Sequence, residues 1–229
     1  MNSIVLNNTN ALKRRTETRA KVRRAVKGGH PEIFSDIYHE DVNLAVWQRQ
    51  FSAEFKTLVN DFVIFRPDTS ISIVVSPDDA RSMMRREIGD PRFNDLADDA
   101  SQLVEMFCCL FDLEQAGLRM RVLGDSMCPK FHADRVPCRL ITTYCGIATE
   151  WLPHHAVNRR KLGSGSVGQS DQESGLYKRE ADIQKMASSE VALLKGEEWQ
   201  GNRHAGLVHR SPAVPLKQCR LLLTLDFSN

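Results

Sequence analysis

The sequence predicts an α+β fold in which N-terminal helices pack on a closed or sandwiched β-barrel built from the C-terminal half. Three observations carry this expectation. Large apolar residues recur at helical spacing through the first half, the texture turns to alternating β-rich runs from Leu118 onward, and the last run divides into two faces of opposite character. The division along the chain is a basic, partly flexible leader over 1–30, a mainly helical part over 31–117, and a barrel part over 118–229. Residues 30–229 are expected to form one domain, a length that can bury a substantial core.

The leader holds eight basic residues between Lys13 and Lys27 against one acid, Glu17. A run of this kind ordinarily faces water, with a nucleic-acid arm or a targeting peptide as the functional reading. Asp41 to Arg49, followed by Phe51, Phe55, Leu58, Val59 and Phe62, shows helix-like spacing. Ile71–Val75 is β-rich, although a buried helix could begin the same way. Ser76 followed by Pro77 and two aspartates marks a helix start, with Ser76 as N-cap and Pro77 at the first helical position. Leu96 to Leu113 reads as an amphipathic helix with Leu103, Phe107, Leu110 and Phe111 on one side.

Leu118–Leu123 alternates apolar with basic residues, as a half-exposed strand does, and Arg139–Tyr144 is rich in strand formers. Gly146 to Trp151 leads to a further strand. Lys161 to Gly175 is rich in Gly, Ser, Gln and Asp and is expected to be a flexible surface loop. Glu190–Gly196, Leu207–His209 and Arg220–Phe227 complete the strands. In the last of them Leu221, Leu223, Leu225 and Phe227 form one apolar face suited to packing on helices. Arg220, Leu222, Thr224 and Asp226 form the other, which would line a cavity. A guanidinium pointing into a barrel needs an anion or a carboxylate partner, because an unpaired buried charge is costly.

Composition narrows the function classes. Lys+Arg 31 against Asp+Glu 29 implies no general affinity for polyanions, so nucleic acid would be met only through the basic N-terminal segment. No run approaches the roughly 18 apolar residues of a membrane span, and the N-terminus lacks a secretory pattern. Six cysteines without framework spacing fit reduced thiols in the cytoplasm. Neither a Gly-rich phosphate loop nor a Gly-x-Ser-x-Gly elbow occurs.

The chemistry concentrates in Cys128-Pro129-Lys130-Phe131-His132-Ala133-Asp134, His209 and Arg220. On a strand, His132 and Asp134 project from the same face. With His209 from a distant strand they would make one face of an octahedral metal site and leave three positions open, the facial triad of non-haem Fe(II) oxygenases. Arg220, eleven residues after His209, would grip a carboxylate cosubstrate with its planar fork. Cys128 offers an alternative ligand, since Cys with His132 and His209 is a plausible zinc set for a hydrolase or a metal-handling protein. A third reading is a metal-free barrel that binds a small carboxylate through Arg220. His154, His155 and His204 read as exposed loop residues, His30 and His39 as unrelated to the site, and Trp47, Trp151 and Trp199 as core or rim aromatics.

The ordered set of His-x-Asp, a late-strand His and an Arg on the next strand resembles the Fe(II)/2-oxoglutarate-dependent dioxygenases with a double-stranded β-helix (jelly-roll, cupin-like) core. The resemblance implies His132, Asp134 and His209 as iron ligands and Arg220 as anchor for the distal carboxylate of 2-oxoglutarate. The run Arg220-Leu221-Leu222-Leu223-Thr224 looks like the final strand of the nucleic-acid demethylase branch. Many members place a Ser two residues after that Arg. Leu222 stands there in this chain, so Tyr144 or Thr224 would supply the hydroxyl.

Val42–Arg49, Cys128–Asp134, Arg139-Leu140, Thr143-Tyr144, Thr149–Leu152, Lys195-Gly196, His209–Pro212 and Arg220–Asp226 are also similar to a bacterial family known as domain of unknown function 1826. Where that family favours Gly-Pro-Gly after the Tyr, this chain has Cys145-Gly146-Ile147-Ala148, a looser turn. The resemblance further implies a link to zinc homeostasis. The expectation is therefore an Fe(II)/2-oxoglutarate dioxygenase-like protein that hydroxylates a small-molecule or protein substrate, with Zn(II) as the alternative metal.

Overall fold

In the computed structural model, which describes residues 22–216 and 218–228, two sheets face one another and helices cover the larger. The ten strands, in chain order, are β1 (Arg24–Gly28), β2 (Val42–Trp47), β3 (Ser70–Val75), β4 (Ala116–Leu123), β5 (Cys138–Cys145), β6 (Glu150–Leu152), β7 (Gln184–Lys185), β8 (Val191–Lys195), β9 (Val208–Arg210) and β10 (Arg220–Phe227). The larger sheet runs β1-β2-β8-β5-β10-β4-β3 and the smaller β7-β6-β9. The helices are α1 (Ala53–Phe65), α2 (Pro77–Ile88) and α3 (Asn94–Phe111).

Sequence dictates most of these elements locally. Ser52 caps α1 by accepting from the Phe55 amide, and Ser76 caps α2 by accepting from the Asp79 amide with Pro77 behind it, as expected. Helix α2 ends where Gly89 turns left-handed, and α3 where Asp112 does. The parity of β10 is as the sequence predicts. Leu221, Leu223 and Leu225 are fully buried against Phe62, Met84, Leu103 and Phe107 of the helices, together with Leu118 and Met120 of β4. The opposite face of the sheet meets the small sheet through Leu44, Val46, Ile141, Ala192 and Leu194, packed on Ala148, Trp151, Met186 and Leu207.

The first half is less helical than its spacing suggests. Val42–Trp47 is a strand, not the start of a helix, and pairs in parallel with β1 and antiparallel with β8. Its continuous apolar run is buried on both faces, a pattern that a buried helix segment shares until the partner strands are known. Of the basic leader, residues 1–21 lie outside the described residues, while Arg24–Gly28 forms an edge strand of the larger sheet. Ile71–Val75 resolves as strand β3 at the other edge.

The stretch 161–175, expected to be a flexible surface loop, is built of short helical turns and packs on the small sheet. Ser166, Asp171 and Ser174 are buried, and Leu176 and Tyr177 close an apolar cluster with Phe131, Leu152 and Val208. Asp171 accepts from the Phe131 amide at 2.9 Å, which ties this segment to the residue before His132. No helix among the described residues is long and apolar enough to cross a membrane.

Candidate metal centre

His132 and His209 are cross-strand partners. The His132 amide donates to the His209 carbonyl (3.0 Å) and the His209 amide to the His132 carbonyl (2.9 Å), and the imidazole centroids lie 4.7 Å apart. The predicted strand at His132–Asp134 is reduced to this single bridge, after which the chain leaves the sheet. The pairing still brings Asp134 between the rings, with its two oxygens 3.5 Å from Nε2 of His132 and of His209. One donor atom from each of the three residues lies within 4.8 Å of the other two. Two donors at about 2.1 Å from one ion and at right angles stand about 3 Å apart, so the 3.5 Å separations between Asp134 and the two imidazoles are close to what a shared cation needs.

The tautomers favour this use. Nδ1 of His132 faces the Lys130 carbonyl at 3.0 Å and Nδ1 of His209 faces the Leu207 carbonyl at 3.3 Å, so each ring can hold a proton there and give Nε2 to a cation at the centre. Burial pushes the His209 pKa down to about 4, which keeps that ring neutral. The hydrogen bond to Asp134 raises the pKa of His132. Burial alone would raise the Asp134 carboxyl, but His132, His209 and Arg139 outweigh it and hold the group well below the ordinary carboxylate range. Arg139 donates to Asp134 at 2.8 Å and to Asp226 at 2.7 Å, which fixes the carboxylate in orientation.

Arg220 is 1% exposed at the start of β10. Its guanidinium donates to the hydroxyls of Thr143 (3.2 Å), Thr149 (3.3 Å) and Ser211 (3.5 Å), its Nε has no partner, and no carboxylate pairs with it among the described residues. Burial without a counter-anion pushes its pKa down to about 10. Gly146 allows the approach. It is left-handed (φ +84°), and a Cβ there would lie 2.4 Å from the Cys219 carbonyl, so only glycine lets the chain pass this close to the start of β10.

His132 and His209 border one cavity of about 390 Å³, which is also lined by Cys128, Arg119, Arg121, Ile141, Leu222 and Thr224. Arg220 stands behind this lining, held by Thr149 and Ser211, which do line the cavity. Thr224 thus lines the cavity. Tyr144 does not. It projects from the other face of β5 into the helix-side core, stacked on Phe51, and its hydroxyl donates to Asp99 at 2.7 Å. Thr143, one residue earlier, has the correct parity. Alternation signals this, since Leu140 and Tyr144 share the apolar face. Tyr144→Phe should therefore cost about 1 kcal/mol in denaturant unfolding.

Cys128 is exposed at the cavity wall and is not among the clustered donors, so the zinc set of Cys128, His132 and His209 is not assembled. Its carbonyl instead accepts from the Ser211 amide, turning the chain toward His132. The expected link to zinc homeostasis finds no support in this geometry. Glu150 is buried in ion pairs with Arg210 and Lys185, and His154 packs beside Arg159, away from the cavity lining.

Comparison with solved structures gives the fold a second footing. The rice dioxygenase for auxin oxidation superposes with a TM-score of 0.51 at 10% identity, covering 89% of this chain and 82% of that one. A full-length Neurospora crassa protein, solved in complex with α-ketoglutarate, gives 0.46 at 11% identity over 90% and 84% of the two chains. A Pseudomonas putida prolyl-4-hydroxylase gives 0.41 at 10% identity over 87% and 98%. The architecture is a double-stranded β-helix with N-terminal helices packed on its larger sheet. No curated protein matches the sequence. Residues 28–226 match the family described as protein of unknown function DUF1826, and the chain belongs to that family.

Proposed function

We propose that this chain is an Fe(II)/2-oxoglutarate-dependent dioxygenase that hydroxylates its substrate. The observation that carries the reading is the convergence of two Nε2 atoms and one carboxylate near a buried guanidinium that has no anionic partner among the described residues. The donor set fits a divalent ion held on one face, with the remaining positions open. The orphaned Nε of Arg220 fits a carboxylate, because a buried charge without a counter-ion is costly until a ligand supplies one.

In this reading His132, Asp134 and His209 hold the metal, and Arg220 clamps the distal carboxylate of 2-oxoglutarate, with Thr143 and Thr149 aligning its fork. Bound together, Fe(II) and 2-oxoglutarate supply oxidative chemistry. With O2 they would couple decarboxylation of 2-oxoglutarate to succinate and CO2 with hydroxylation of a substrate C–H bond. Arg139 keeps the Asp134 oxygens turned to the centre, and Leu222 and Ile141 present an apolar wall that limits water near it.

Anaerobic addition of Fe(II) and 2-oxoglutarate tests the reading. A weak visible charge-transfer band that needs both additions is the expected result. Tight zinc with no such band would overturn it, and 2-oxoglutarate binding without any metal would leave a carboxylate-binding barrel.

A further inference from the structure

Around the cavity there are more unpaired guanidiniums than the distal carboxylate of the proposed cosubstrate can answer. On its walls Arg119 and Arg139 share Asp226, Arg139 also reaches Asp134, and Arg210 pairs with Glu150 and Asp171. Two guanidiniums remain without a carboxylate among the described residues, Arg121 in the cavity lining and Arg220 behind it. Arg220 is the cosubstrate clamp of the proposed function. Arg121 has no such use.

Arg121 lies on β4, on the face opposite the core residues Leu118 and Met120, and so points to the cavity behind whose lining Arg220 stands. In the β4–β10 pairing it stands opposite Leu222, while Arg220 stands opposite Leu123. The two arginines are therefore diagonal neighbours, with backbones about 7–8 Å apart on one face. Arg121 Nε is buried with no hydrogen-bond partner. Leaving such a donor unmet is costly, so the position suits a ligand that brings its own acceptor. A planar fork with open donors selects a carboxylate or a phosphate over a neutral group.

We propose that Arg121 anchors the substrate, and that the substrate is a small molecule bearing an oxyanion, a phosphate or a carboxylate, bound beside the cosubstrate on the cavity floor. The inference rests on Arg220 being the cosubstrate clamp. The cavity, at about 390 Å³, has the size of a small-molecule site. Leu222 and Ile141 between the charged positions would face the uncharged carbon skeleton that the substrate presents to the metal.

Calorimetric titration of inorganic sulfate, standing in for a phosphate ester, and of acetate tests this. Each is titrated into the full chain, both metal-free and loaded anaerobically with Fe(II) and 2-oxoglutarate. Saturable binding of at least one anion is expected, weakened about 10- to 150-fold by Arg121→Gln and less by Arg121→Lys. The preferred anion tells phosphate from carboxylate. The charge-transfer titration with 2-oxoglutarate should be the same in Arg121→Gln as in the parent. No anion binding by the parent, or binding untouched by Arg121→Gln, overturns the proposal. So does competition between the anion and 2-oxoglutarate, or equal loss of 2-oxoglutarate in Arg121→Gln, because Arg121 would then serve the cosubstrate. Failure of the dioxygenase reading shows separately, as absence of the band in the parent, while the metal-free titration still reports on Arg121.

Discussion

His209→Ala should bind Fe(II) more than about 100-fold more weakly than the parent chain, because loss of a ligand exceeds the 10- to 100-fold that removing a mere supporting partner costs. His209 is 5% exposed, its Nδ1 proton is committed to the Leu207 carbonyl, and its Nε2 stands 3.5 Å from Asp134. No other imidazole is placed to replace it, since the clustered donors come only from His132, Asp134 and His209 among the described residues. The main-chain bonds between residues 132 and 209 do not need the ring, so the variant should fold. Metal content after anaerobic reconstitution checks this, and His132→Ala should behave the same way. Cys128→Ser should keep full metal. Retention in both histidine variants, or loss in the cysteine variant, would sink the assigned ligand set.

Arg220→Leu should weaken 2-oxoglutarate binding by about 30-fold or more while leaving the metal in place, since truncating one partner of a buried charge pair costs about 2–5 kcal/mol. The same change has an opposite consequence when no cosubstrate is present. Arg220 is then a buried cation held only by hydroxyls, and an apolar replacement removes an uncompensated charge. The melting temperature of the metal-free variant should therefore equal or exceed that of the parent, while the rise produced by added 2-oxoglutarate should disappear. A large loss of stability without ligand, or equal loss of metal and cosubstrate, would mean that Arg220 is a structural residue.

Several parts of the fold were legible because their signals are local. Ser76-Pro77 specifies a helix start through capping and a fixed φ, and the alternation in Arg220–Phe227 assigns each side chain to a face without any partner strand. Val42–Trp47 misled because a run buried on both faces carries no period, and only pairing with β1 and β8 makes it a strand. Tyr144 misled for a related reason. A hydroxyl near the right place in the sequence pointed to the wrong side of β5, where it serves Asp99. Arg139, Thr143 and Thr149 carried no signal beyond alternation, since what they do is set by neighbours far along the chain.

Donor type and strand parity could be read from the chain alone, because they are properties of single residues and their nearest neighbours; they marked His132, Asp134, His209 and Arg220 as candidates. Only the tertiary structure decided that His132 and His209 pair backbone to backbone and that Cys128 stays outside the cluster. It also decided that Arg121 in the cavity lining and Arg220 behind it are left without a counter-charge among the described residues. Register and charge balance are sums over distant segments. A hydrogen-bonded ladder fixes which residues meet, and burial then fixes which charges must find an external partner.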